Sequence, residues 1–170
     1  AKARTLARRY TKDIKTYENA LSWGKAALSM LPNGKNEARM IMSYATGLGT
    51  TELITRSKEL MRDDDFEEFQ KRIYLRIEGV PLQYILGKWE FMGLDFYVDK
   101  NVLIPRADTE TLTEYIISAG GSPSVLDMCT GSGCIGISVA HYLKGAEVTL
   151  ADISRDALDI ATKNAKLNGV

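Results

Sequence analysis

Residues 125–136 read VLDMCTGSGCIG, and the fold turns on this stretch. Val125 and Leu126 form a short apolar run of the kind a buried parallel strand shows, and Asp127 closes it. Thr130-Gly131-Ser132-Gly133 then gives a turn with little side chain. From Ile135 to Leu143 the pattern resumes at helical spacing. Strand, glycine turn and helix together form a nucleotide or nucleoside site. The glycines let backbone approach a ligand closely, and the helix N-terminus points free N–H groups at it. A second strand, Glu147 to Ala151, ends in Asp152, about 20 residues after the turn. An acidic side chain there can accept hydrogen bonds from both hydroxyls of a ribose.

Two ligands fit this spacing. Gly131-x-Gly133-x-x-Gly136 literally matches the dinucleotide fingerprint, with its acid on the next strand. The other reading is an S-adenosylmethionine (SAM) site, whose first strand typically ends Asp-x-Gly-x-Gly-x-Gly. Asp127, Gly131 and Gly133 fit that register, and Cys129 stands where its first glycine falls. Asp127 favours SAM, because a carboxylate beside a pyrophosphate repels it. SAM has no phosphate and carries a cationic sulfonium and an ammonium. The bland alternative is a glycine-rich turn that binds nothing.

A chain of 170 residues allows one domain or two small ones. Its formal net charge is zero, so nothing global argues for a nucleic-acid partner. The charge is uneven: Lys2, Arg4, Arg8, Arg9, Lys12, Lys15 and Lys25 face only Asp13 and Glu18 in the first 25 residues. A solvated helix face or a leader explains that run more simply than an RNA-binding arm. Cys129 and Cys134 flank the glycine turn and read as free thiols in a reducing cytosol. Two thiols and one His make no plausible zinc site, and His141 reads as a packed or surface side chain. The N-terminus has no apolar core, so it is not a secretory signal. No apolar run approaches the ~20 residues of a membrane span. The expected location is cytoplasmic.

Residues 1–78 read as helices. Ala20 to Leu31 stops at Pro32-Asn33-Gly34. Asn36 to Ala45 is broken by Gly47 and Gly49. Thr51 to Met61 places Leu53, Ile54, Ser57, Leu60 and Met61 on one stripe. Asp63-Asp64-Asp65 supplies an N-cap and first-turn charge, and Phe66, Phe69, Ile73 and Ile77 form one apolar face. Gly79 and Pro81 end that helix. These stripes are most simply the core of a small bundle. Residues 79–106 read as a hairpin linker, with short strands at Tyr84-Ile85-Leu86, at Trp89-Glu90-Phe91-Met92 and from Leu94 to Val98. Leu94, Phe96 and Val98 alternate with Asp95, Tyr97 and Asp99, so one face is buried. Asp108 is placed to cap a helix from Thr109 to Ser118, and Ser154 to cap the last helix, Arg155 to Leu167.

Three stretches together carry a resemblance. They are Gly79-Val-Pro-Leu-Gln-Tyr-Ile-Leu-Gly87 with Glu90-Phe91 and Gly93 following, Leu103-Ile-Pro-Arg-Ala-Asp-Thr-Glu110, and the glycine turn with Ala151-Asp152. From about Glu37 to Val170 the chain resembles the HemK/PrmC family, the release factor glutamine N5-methyltransferases. The glycine turn is shared by many SAM enzymes, whereas the two stretches before it are far more specific. Ala107 departs from a second Pro usual in the family after Arg106.

The resemblance implies an α/β architecture: an N-terminal helical bundle that recognises substrate (1–78), a β-hairpin linker (79–106), and the start of a Rossmann-like SAM-dependent methyltransferase domain (107–170). It implies transfer of a methyl group to the side-chain amide nitrogen of the Gln in the Gly-Gly-Gln loop of class 1 peptide chain release factors. Carried over by motif, Cys129, Thr130, Gly131, Ser132 and Gly133 would wrap the methionine end of SAM. Asp152 would hold the ribose, Ile153 would border the adenine, and Asp127 would orient the turn or meet the ammonium through water. Arg106 is balanced between a site role and an ion pair with Asp108 or Glu110.

The family's Asn-Pro-Pro-Tyr, which holds the Gln amide, does not occur here. The chain is therefore expected to be the N-terminal part of a larger enzyme, with half a SAM pocket and no catalytic residue of its own. Two parallel strands with an open face would invite self-association. A DNA or RNA amino-group methyltransferase remains an alternative, although the neutral charge shows no basic groove. An NAD-dependent oxidoreductase is a second. No membrane or direct nucleic-acid partner is expected.

Overall fold

A computed structural model of the chain describes residues 16–121 and 123–170. The rest of the basic run, before Thr16, lies outside the described residues. The chain forms two compact units that divide between Leu86 and Gly87.

The first unit is helical: α1 (Tyr17–Ala27), α2 (Gly34–Thr46), α3 (Thr50–Thr55), α4 (Asp63–Ile77) and α5 (Leu82–Leu86). Thr16 caps α1, its hydroxyl accepting the Asn19 N–H. The core is aromatic and aliphatic. Trp23 meets Phe69 and Tyr74 edge-on, and Ile41, Met42 and Ile73 fill the space around them. On α4 the stripe is graded: Phe69 and Ile73 are wholly buried, while Phe66 and Ile77 are only partly so. An ion pair between described residues crosses this unit. Arg76 Nε lies 2.7 Å from Glu37 Oε2, and both side chains are more than four-fifths buried.

Several sequence expectations give way in this unit, and the helix read over 20–31 starts at Tyr17 and ends at Ala27. The helix expected over 51–61 ends at Thr55, so Ile54 and Leu60 are exposed while Leu53 and Met61 are buried. The backbone beyond Thr55 has another use. The carbonyls of Glu59 and Ser57 accept the N–H groups of Tyr17 and Glu18, donors that the first turn of α1 leaves without intrahelical partners. Asp63 is the first residue of α4, and the capping position falls to Arg62 without a side-chain cap. The three aspartates still place negative charge at the positive end of the helix. Tyr84-Ile85-Leu86 is helical, not extended. The Pro81 carbonyl accepts the N–H groups of Tyr84 and Ile85. Leu82, Ile85 and Leu86 are buried at i, i+3 and i+4, the helical period.

The second unit opens with a hairpin, β1 (Lys88–Phe91) and β2 (Leu94–Tyr97), joined by Met92 and Gly93. Both turn residues have positive φ, 53° and 71°, as a two-residue turn matching the twist of its strands requires. Phe91, Leu94 and Phe96 pack with Cys134 and Ile137 in a core of their own. Helix α6 (Ala107–Ala119), strand β3 (Ser124–Met128), α7 (Cys134–Tyr142), β4 (Glu147–Ala151) and α8 (Arg155–Leu167) follow. Strands β3 and β4 are parallel, with Val125 beside Val148. Leu126 and Met128 on β3 are exposed, the alternate residues Val125 and Asp127 half-buried.

Helix α6 begins two residues before the expected Thr109, with Arg106 at the capping position. Asp108 therefore sits in the first turn and favours the helix by charge. Ala107 occupies the first helical position, where proline is also favoured. Ser154 caps α8 as its spacing suggests, accepting the Ala157 N–H.

Glu37→Ala should be costly, because it leaves Arg76 largely buried without its carboxylate. A loss of about 2–3 kcal/mol is expected, below the ~3–5 of fully buried pairs because both groups keep some exposure. Urea denaturation followed by Trp23 emission in a Trp89→Phe background measures it.

Candidate functional site

The end of β3 is tied to the turn and to α7 by one carboxylate. Asp127 Oδ2 accepts the Thr130 hydroxyl at 2.7 Å and the Gly136 N–H at 3.0 Å. The second bond uses a donor in the first turn of α7 that no intrahelical carbonyl can reach. Glycine at 136 is a packing requirement. A Cβ there would overlap Leu150 Cδ2 and sit 3.0 Å from Asp127 Oδ2 and 3.1 Å from Val148 Cγ1.

The turn itself runs through left-handed backbone. Gly131 and Gly133 have φ of 56° and 82°, and Cys129 has 60°. Cys129 thus adopts the conformation natural to the glycine it replaces, at the steric cost a Cβ carries there. Two of the turn's peptides are held on both sides. Gly131 N–H donates to Asp152 Oδ2 at 2.9 Å, and the Thr130 carbonyl accepts from Gly133 N–H at 2.9 Å. The Ser132 carbonyl accepts from Asn164 Nδ2 at 2.8 Å. Among the described residues, the peptide between Gly131 and Ser132 makes no hydrogen bond. It stands between two fixed neighbours with its N–H and C=O uncommitted.

Asp152 lies just past β4. Its oxygens accept from Ser154 N–H and Gly131 N–H, both at 2.9 Å. These bonds, the Ser154 one foremost, hold its pKa below the ordinary carboxylate value. A carboxylate has about four lone-pair sites, so acceptor capacity remains. Ile153 beside it is fully exposed. Thr130 and Ser132 are buried. Both cysteines are free: Cys129 is exposed, and burial pushes the Cys134 thiol up. No group of metal-ligating side chains forms among the described residues, and no described helix is long and apolar enough to cross a membrane.

Arg106 is exposed, and among the described residues no ion pair joins it to Asp108 or Glu110. Glu110 is used elsewhere: its Oε1 accepts the Met92 N–H at 2.8 Å, while Tyr142 Oη donates to the Met92 carbonyl at 2.7 Å. Sequence reasoning missed these anchors of the hairpin tip, and it missed Asn164. A buried Asn on the apolar face of α8 was the available signal. His141 is half-buried, with Nδ1 3.2 Å from the Asn168 carbonyl.

Residues 19–87 match the PrmC N-terminal domain, and residues 107–170 match the methyltransferase small domain. The chain belongs to the HemK/PrmC family. Among its curated relatives, the release factor glutamine methyltransferase of Chlorobaculum tepidum is 41% identical over 141 residues, which cover 78% of this chain and 48% of that protein. The protein of the same name from Bacillus subtilis is 34% identical over 163 residues, 92% of this chain and 57% of that protein. That from Borreliella burgdorferi is 43% identical over 116 residues, 66% of this chain and 38% of that protein. The chain spans about half the length of the curated relatives it matches.

Two outcomes follow from this HemK/PrmC turn. Gly136→Ala should destabilise the second unit by about 1–3 kcal/mol, the cost of forcing a methyl into a filled contact. Thermal melting followed by Trp89 emission in a Trp23→Phe background reads it. Asp152 has a depressed folded pKa, so its contribution to stability is present above the unfolded value near 4 and is lost as pH falls through the folded one. Asp152→Asn should therefore flatten the acid limb of the stability–pH curve below about pH 4. An unchanged slope would show that folding does not lower the Asp152 pKa.

Proposed function

We propose that this chain supplies the cofactor turn and the recognition helices for SAM-dependent methylation of the Gln side-chain amide in the Gly-Gly-Gln loop of a class 1 peptide chain release factor. The observation that carries this reading is the pair of carboxylates, Asp127 and Asp152, set against a glycine turn with one uncommitted peptide. Asp127 suits a ligand bearing a sulfonium and an ammonium and opposes a pyrophosphate, while Asp152 is placed for the ribose. The relatives' printed name, release factor glutamine methyltransferase, supports the substrate.

When bound, SAM supplies a methyl group on a positively charged sulfur. The backbone from Cys129 to Gly133 lines the methionine end, with the Gly131–Ser132 peptide as its free donor and acceptor. The remaining lone pairs of Asp152 accept from the ribose hydroxyls, and exposed Ile153 offers an apolar edge to the adenine. Asp127 acts mainly through the turn, because one of its oxygens is already committed to Thr130 and Gly136. An amide nitrogen is a poor nucleophile, so holding it in line with the methyl carbon supplies most of the rate. No residue described here is assigned that contact. The helical unit is the surface that meets the release factor, and two free thiols fit a reducing cytoplasm.

Isothermal titration with SAM and, separately, with NADH tests the cofactor. SAM should bind and NADH should not, and Asp152→Ala should weaken SAM at least tenfold. Preferential binding of NADH would overturn the reading. Surface plasmon resonance with a purified class 1 release factor tests the partner.

A further inference from the structure

We propose that Asn164 is a positioning residue for the glycine turn, one that ties the turn's geometry to the seating of the β-hairpin. The inference rests on the SAM reading for its functional consequence. Its geometry stands independently.

Asn164 lies on α8 and is wholly buried. A buried side-chain amide must place both N–H donors, and here each has a partner. Nδ2 donates to the Ser132 carbonyl at 2.8 Å and to the Tyr97 carbonyl at 3.0 Å. Oδ1 accepts the Tyr97 N–H at 2.6 Å. The amide thus treats Tyr97 as a neighbouring strand would, exchanging one donor and one acceptor with it. The other edge of β2 is taken by β1. In this register the tight turn pairs Phe91 with Leu94, and Tyr97 turns its N–H and C=O away from β1. Asn164 is what meets them.

The third bond has a different target. Ser132 is the central residue between two left-handed glycines, and its peptide can rotate unless both sides are held. Thr130 holds the N–H side through Gly133, and Asn164 holds the C=O side. Without Asn164 that plane is free to turn, and the uncommitted Gly131–Ser132 peptide turns with it. A shift of the hairpin at Tyr97 pulls on the same amide. One side chain therefore couples the two. Asn168, one helical turn on, is the natural comparison: it donates to the Asp95 carbonyl and to the Asn164 carbonyl but not to the turn.

The experiment uses the whole chain with Asn164→Asp, Asn164→Ala and Asn168→Ala. Asn164→Asp keeps the shape and the acceptor and replaces both N–H donors with at most one O–H. Two readouts are taken: amide NMR shifts of Gly131 and Gly133 without ligand, and SAM affinity by titration. Both Asn164 variants should move the two glycine amides and lower SAM affinity at least tenfold. Asn168→Ala should leave the glycine amides in place and SAM affinity within twofold. Unmoved glycine amides in Asn164→Asp, or equal effects from Asn168→Ala, would overturn the proposal. Should Asn164→Ala fail to fold, Asn164→Asp decides. If the unmutated chain does not bind SAM, the cofactor reading falls, and the glycine shifts alone decide for or against Asn164.

Discussion

Everything at the end of β3 depends on one carboxylate oxygen. Asp127 Oδ2 binds a hydroxyl from the turn and an N–H from the helix beyond it, so strand, turn and helix share a common point. That point exists only because Gly136 lets α7 settle against β3 and β4 with no side chain between. The constraint is reciprocal. A close helix brings the Gly136 N–H within reach, and the bond then keeps the helix close. A hydrogen bond to a charged acceptor contributes more than a neutral one, about 1.5–3 kcal/mol in typical cases. Burial beside Leu150 and Val148 adds to it.

The glycine turn was legible in the sequence because its constraints are local. Gly131 and Gly133 are needed for left-handed backbone and Ser154 caps a helix, each within a few residues of its partner, although β3 runs one residue past the expected Asp127, to Met128. Helices with a clean period were legible too: α8 was read with its observed bounds. Cys129 was the ambiguous position. Its conformation is set by neighbours on both sides, and nothing in a cysteine announces a positive φ.

The errors share a cause. At 51–61 an apolar stripe suggested one continuous helix, but the carbonyls of Ser57 and Glu59 are claimed by the start of α1, some forty residues earlier in the chain. At 84–86 three apolar residues in a row look alike as strand or helix, and only Pro81 with the spacing of Leu82, Ile85 and Leu86 decides. The anchors of the hairpin are more distant still. Asn164 reaches Tyr97 across 67 positions, and Tyr142 reaches Met92 across 50. No windowed pattern carries such pairs.

The two asparagines on α8 have a consequence beyond the turn. A bare strand edge is a row of unpaired donors and acceptors, a template on which another chain can add a strand. On β2 the outward groups of Tyr97 and the Asp95 carbonyl are already occupied by side chains of Asn164 and Asn168. Here the protein closes a sheet edge with amides in place of a further strand, charge or proline. The β2 edge is thereby withdrawn from strand addition at these groups, and a single helix supplies the protection.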